Sequence, residues 1–93
     1  MAITVDYTVG AERRLFDILE FIAQDDEMAG LRFVAELERR VTGVLGLFPE
    51  AGARMEGGQR VLTIRGHSVV YRFDAATGVV LVLDIFGPGM DWR

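Results

Sequence analysis

The sequence predicts an α+β fold in the order β-α-α-β-β-β, a helical hairpin packed on a small, largely antiparallel sheet. Two observations carry that prediction. Apolar residues recur at helical spacing through the first half, while β-branched and aromatic residues run in short stretches through the second, separated by Gly- and Asp-containing turns. With 93 residues, the chain has room for one core, and one domain over 1–93 is expected.

Ile3 to Tyr7 alternates apolar and polar residues, as a half-buried strand does. Thr8 stands where a helix N-cap belongs, its hydroxyl available to a free backbone N–H of a helix that starts at Val9 and runs to about Gln24. Ala11, Leu15, Ile18, Leu19 and Ile22 form the apolar stripe of that helix. Phe16 and Phe21 lie off the stripe, and two readings stay open: they flank a wide buried face, or they are surface aromatics offered to a partner.

Asp25, Asp26 and Glu27 place carboxylates at the start of a second helix, where they cap N–H groups and meet the positive end of the dipole. Val34, Leu37, Val41, Val44 and Phe48 make its expected seam, and Arg32, Glu36 and Arg40 follow at i, i+4 on the outside. Leu15, Ile18, Leu19, Ile22, Val34, Leu37, Val41 and Phe48 are therefore the predicted core of the hairpin. Pro49 ends the helix near Phe48, and a long connection leads to Gln59.

The runs Arg60–Arg65 and Ser68–Phe73 read as strands joined by a two-residue Gly66-His67 turn, which leaves His67 exposed at the turn. After Asp74–Gly78, a second turn, Val79–Leu83 is apolar on both faces and reads as a central strand, closed by Asp84, Ile85 and Phe86. Gly87-Pro88-Gly89 leaves the sheet, and Met90 to Arg93 form a tail.

Composition excludes several functions. The formal charge is −4, so the broad basic face of a tight nucleic-acid binder is not expected. Ten acids and five Arg precede Ala51, whereas four acids and five Arg follow, making the strand half the less acidic one. All ten basic residues are Arg, as GC-rich coding favours. No cysteine is present to serve as nucleophile, disulfide or metal ligand, and the Gly-rich connection matches neither GxGxxG nor a Walker pattern, so no cofactor or metal is implied. Apolar runs are too short to span a membrane, and the start lacks the pattern of a signal peptide; the expected location is the cytoplasm. A lone His in a turn offers little for nucleophilic catalysis. Arg60, Arg65, Tyr71 and Arg72, with Asp91, Trp92 and Arg93 in the tail, compose the candidate binding surface. Its alternative is equally open: Tyr71 in the core, with the Arg residues solvating the outer sheet.

Taken in order, Tyr7-Thr8, Asp17 to Ala23, Phe33 to Leu37, Phe48 to Gly52, Val70-Tyr71-Arg72 and Asp91-Trp92 resemble the RelE/ParE superfamily of type II toxin-antitoxin toxins over nearly the whole chain, and the ParE-like branch fits best. The resemblance implies one strand, a helical hairpin and three strands, and a toxin neutralised by a small antitoxin, usually of the ribbon-helix-helix type. Phe16 and Phe21 become candidate antitoxin contacts, and the Arg-aromatic group with the tail a candidate surface for the target. ParE-like members inhibit DNA gyrase. RelE-like members cut mRNA on the ribosome, using basic residues and often a terminal Tyr or His; the matching positions here hold Ser68, Pro88 and Met90. The expected function is therefore gyrase inhibition by protein binding, without catalysis. Its alternatives are a ribosome-dependent endoribonuclease and a toxin-derived interaction module that is not toxic.

Overall fold

The computed structural model describes residues 2–88. Strand β1 spans Thr4–Tyr7, helix α1 Val9–Ala23 and helix α2 Glu27–Leu47. Thr8 starts α1 in two ways: its hydroxyl oxygen accepts from the Ala11 N–H at 3.0 Å and its proton goes to the Leu83 carbonyl at 3.2 Å. One side chain thus caps the helix and ties its first turn to the sheet. Asp26 caps α2 by accepting from the Ala29 N–H at 3.1 Å. Of the expected outer row, Glu36 and Arg40 pair at 3.1 Å, and Glu36 also meets Arg65 at 3.6 Å.

The second half contains strands β2 at Ala53–Arg54, β3 at Arg60–Ile64, β4 at His67–Asp74 and β5 at Val79–Phe86, with a short 3-10 turn at Glu56–Gly58. They form one sheet in the order β1-β5-β4-β3-β2. β1 runs parallel to β5, pairing Thr4 with Val79 and Tyr7 with Val82, whereas the other neighbours are antiparallel. The connection expected from Glu50 to Gln59 thus holds a fifth strand, only two residues long, along the edge of β3.

The tight hairpin sits one residue earlier than its composition implied. Ile64 pairs with His67, so Arg65 and Gly66 make the turn, with φ of 54° and 73°. Two positive φ values suit the twist of the flanking strands. Arg65 accepts a backbone conformation that costs an L-residue roughly 1–2 kcal/mol, and His67 becomes a buried strand residue. A bulge opposite Val70 and Tyr71 skips Leu83, shifting the partners from Asp84 to Val82. That extra residue lets Val82 and Ile85, three apart, both face the core.

Ala11, Leu15 and Ile18 of α1 and Leu37, Val41 and Leu45 of α2 pack on Ile64, Val69, Tyr71, Val80, Val82 and Ile85. Leu19, Ile22 and Val34 are half-buried, and Ile22 and Val34 also pack against this cluster. Phe48 departs from the expected seam and is 63% exposed. The helix ends at Leu47, and Phe48, with φ −131° and ψ 69°, no longer follows helical phase. Leu45 completes the buried row instead.

Candidate functional site

The proposed Arg-aromatic surface divides into separate arrangements. Arg60 and Tyr71 are cross-strand partners on β3 and β4. Tyr71 is fully buried, and its hydroxyl accepts from the Gly52 N–H at 2.8 Å. Arg60 donates through Nη1 to the carbonyls of Glu50 at 3.1 Å and Gly52 at 2.9 Å, with its Nη2 3.8 Å from the Glu50 carboxylate. The pair clamps the chain that leaves α2 after Pro49. Gly52 is required there, because a Cβ would lie 2.7 Å from the Tyr71 hydroxyl and 3.0 Å from the Val61 carbonyl. Tyr71 therefore belongs to the core reading and offers no surface of its own.

Arg65 forms a second group at the other end of β3. Its guanidinium lies 5.5 Å from the centre of the Phe33 ring and reaches Glu36. Phe33 in turn stacks at 5.2 Å on His67. The His67 Nδ1 is 2.9 Å from the Arg65 carbonyl, which can only accept, so Nδ1 carries the proton. Arg72 is exposed beside the 3-10 turn, since Cβ atoms built at Gly57 and Gly58 would meet its guanidinium at 4.0 and 3.8 Å. Arg60, Arg65 and Arg72 do not converge on one point. Asp91, Trp92 and Arg93 lie outside the described residues.

Arg14, which nothing in the linear pattern singled out, forms a further cationic contact. It bonds to Asp84 at 3.0 Å and lies 5.0 Å from the Phe86 ring centre. Donating this hydrogen bond to the Asp84 carboxylate raises its already high pKa. Seventy positions separate the two residues, so only the fold brings them together.

Both aromatics off the α1 stripe are exposed, Phe16 by 57% and Phe21 by 74%. They border different hollows. Phe16 lines a groove of about 310 Å³ between α1 and α2, with Tyr7, Glu12, Leu15, Leu19, Val34 and Glu38. Phe21 lines a larger cavity of about 530 Å³ with Asp17, Ile18, Ile22, His67, Gly87 and Pro88. In the first groove the Tyr7 hydroxyl donates to the Glu38 carbonyl at 3.3 Å and receives from the Thr42 hydroxyl at 3.2 Å. Burial pushes its pKa up, the Thr42 bond opposes this, and the nearby Glu38 carboxylate adds to the rise. Glu12 and Glu38 were missed as groove residues. The available signal was the four-residue step from Glu12 to Phe16, which puts both on one flank of α1.

These features are strongest as a binding surface: two partly apolar hollows along α1, exposed aromatics at their rims, and Arg14, Arg60 and Arg65 held in intramolecular contacts. Comparison with known proteins agrees on family and fold. Residues 5–92 match the family model described as ParE toxin of type II toxin-antitoxin system, parDE. No curated protein matches the sequence. The fold is similar to that in the chromosomal ParDE toxin-antitoxin system of P. aeruginosa, with TM-score 0.76, 19% identity and coverage of 92% of this chain and 96% of that one. It is similar to a chain in the RelBE2 toxin-antitoxin complex of Mycobacterium tuberculosis, with TM-score 0.72, 21% identity and coverage of 94% and 99%. The isolated E. coli RelE toxin matches with TM-score 0.65 and 18% identity over 97% of this chain and 88% of that one.

Proposed function

This chain belongs to the ParE toxin family of type II toxin-antitoxin systems, and from that membership we propose that it acts in the cytoplasm by binding DNA gyrase and is neutralised by a cognate ribbon-helix-helix antitoxin. The observation that supports the binding mechanism is the commitment of Arg14, Arg60 and Arg65 to intramolecular contacts. Cleavage of RNA at a 2′-hydroxyl needs a base to remove the proton, an acid for the leaving oxygen and cations gathered on the phosphate. Here Arg60 holds the 50–52 segment, Arg65 pairs with Glu36 and Arg14 with Asp84. The imidazole of His67 is buried between Phe33 and the Arg65 carbonyl. A binding inhibitor needs no such convergence. It needs exposed anchors, and large aromatic and Arg side chains dominate such contacts.

In this reading Arg65, Arg72, Asp91, Trp92 and Arg93 contact the target, while Arg60 and Tyr71 support that surface from beneath. Phe16 and Phe21 are covered by the antitoxin. The test is a supercoiling assay with purified gyrase beside a ribosome-dependent mRNA cleavage assay. Inhibition of supercoiling without cleavage is expected, and Trp92→Ala should abolish it while circular dichroism and antitoxin binding stay unchanged. Cleavage of mRNA with normal supercoiling would overturn the proposal.

A further inference from the structure

The cavity along the second half of α1, about 530 Å³, falls within the range of about 300–1,000 Å³ usual for small-molecule sites. Ile18, Phe21 and Ile22 of α1 and Pro88 beyond β5 supply apolar walls, and the polar side chains that line it, among the described residues, are those of Asp17 and His67. His67 is 8% exposed, yet its ring is only partly engaged. Phe33 packs on it with ring centres 5.2 Å apart, and Nδ1 gives its proton to the Arg65 carbonyl at 2.9 Å. Nε2 is then an acceptor, and no hydrogen bond reaches it. Every fully enclosed polar side-chain atom among the described residues has a partner, so Nε2 is open, and the space that His67 borders is this cavity. An acceptor left over on so buried a side chain calls for a donor from outside the chain.

We propose that the cavity binds a small aromatic amine, with its ring between Ile18, Phe21, Ile22 and Pro88, a ring N–H donated to Nε2 of His67, and its ammonium group at Asp17. Water is a poor occupant, because it would find one buried acceptor among apolar walls where a buried water takes roughly two to four polar partners. An aromatic body suits these walls, since the rings of Phe21 and His67 both accept offset or edge contacts. The sign of charge follows from the rim. Asp17 is exposed there, and no Arg lines the cavity among the described residues. Arg14, which is within electrostatic reach of Asp17, is bonded to Asp84. An anionic ligand would therefore meet a carboxylate and no cation. Such a ligand is distinct from gyrase and antitoxin, and its binding is measured on the chain alone.

The test titrates the full chain with three probes: tryptamine, 1-methyltryptamine, whose ring nitrogen carries a methyl group in place of hydrogen, and indole-3-acetate. Two-dimensional NMR should show saturable shifts centred on Ile18, Phe21, Ile22 and His67 with tryptamine, at a Kd of about 1 mM or below. Methylation of the ring nitrogen should weaken binding about fivefold or more, as the loss of a hydrogen bond to a buried acceptor does. Indole-3-acetate should bind at least as weakly as the methylated amine, and Asp17→Asn should narrow its gap to tryptamine. His67 is the only histidine, so the nitrogen signal of its Nε2 is identified at once. That signal should move toward its hydrogen-bonded position with tryptamine and stay in place with 1-methyltryptamine. It keeps the test decisive if His67→Phe, which should erase the difference between the two amines, fails to fold. No saturable binding, shifts centred elsewhere, an Nε2 signal unmoved by tryptamine, or indole-3-acetate bound as tightly as tryptamine would each overturn the inference.

Discussion

Replacing Tyr71 with phenylalanine removes one oxygen and leaves the Gly52 N–H without the acceptor it now has at 2.8 Å. Tyr71 is fully buried and Gly52 is buried as well, so water does not readily replace the lost group. An unsatisfied buried donor costs about 1–3 kcal/mol. A domain of this size has roughly 5–14 kcal/mol in all, so the change is a large part of the total. In urea, with a slope of about 1 kcal/mol/M, the midpoint should fall by roughly 1–3 M at constant slope. Gly52→Ala should cost more than Tyr71→Phe, because its Cβ would sit 2.7 Å from the Tyr71 hydroxyl, 2.8 Å from ring atom Cε1 and 3.0 Å from the Val61 carbonyl. Combining the two removes the first collision, so the double variant should be less destabilised than the sum of the singles. Denaturation followed by circular dichroism measures all four corners of this cycle. A Tyr71→Phe effect below about 0.5 kcal/mol, or strict additivity, would refute the clamp.

Further expectations follow from the core and the groove. Leu37→Ala and Leu45→Ala should each cost about 2–5 kcal/mol, whereas Phe48→Ala should stay within about 0.5 kcal/mol, measured in the same unfolding assay. Equal losses at positions 45 and 48 would contradict the observed helix end. The Tyr7 pKa is raised in the folded chain above its ordinary 10.0, so the proton is held more tightly when folded. The stability tied to it is complete below about pH 10 and is lost as pH rises through the higher folded value. Unfolding curves taken across that alkaline range should flatten in Tyr7→Phe, and an unchanged alkaline slope would argue against a shifted Tyr7.

Helices, caps and most strand limits were legible because each is decided by neighbours in sequence. Thr8 and Asp26 act within three residues of the N–H groups they cap, and the apolar spacing of Leu15, Ile18, Leu37 and Val41 repeats within one helix. Phe48 failed for an equally local reason: Pro49 marked the end of α2, but the step out of helical geometry that turns Phe48 outward depends on backbone angles. Moving the hairpin turn from Gly66-His67 to Arg65-Gly66 likewise required the Ile64 and His67 register.

The surface was less legible. Arg60, Arg65, Tyr71 and Arg72 are close in sequence and invited one reading, but alternation along β4 sends Tyr71 inward and Arg72 outward, while Arg65 sits in the turn. Sequence by itself determined the family, the order of helices and strands, and the acidic balance, since these follow from residue identity and short-range periodicity. Only the tertiary structure decided that β1 joins β5 in parallel, that Tyr71 locks Gly52, that Arg14 meets Asp84, and that Glu12 and Glu38 share a groove. Each of these links joins residues nineteen to seventy-five positions apart, and such pairings leave no local pattern because their energy arises only when the elements pack.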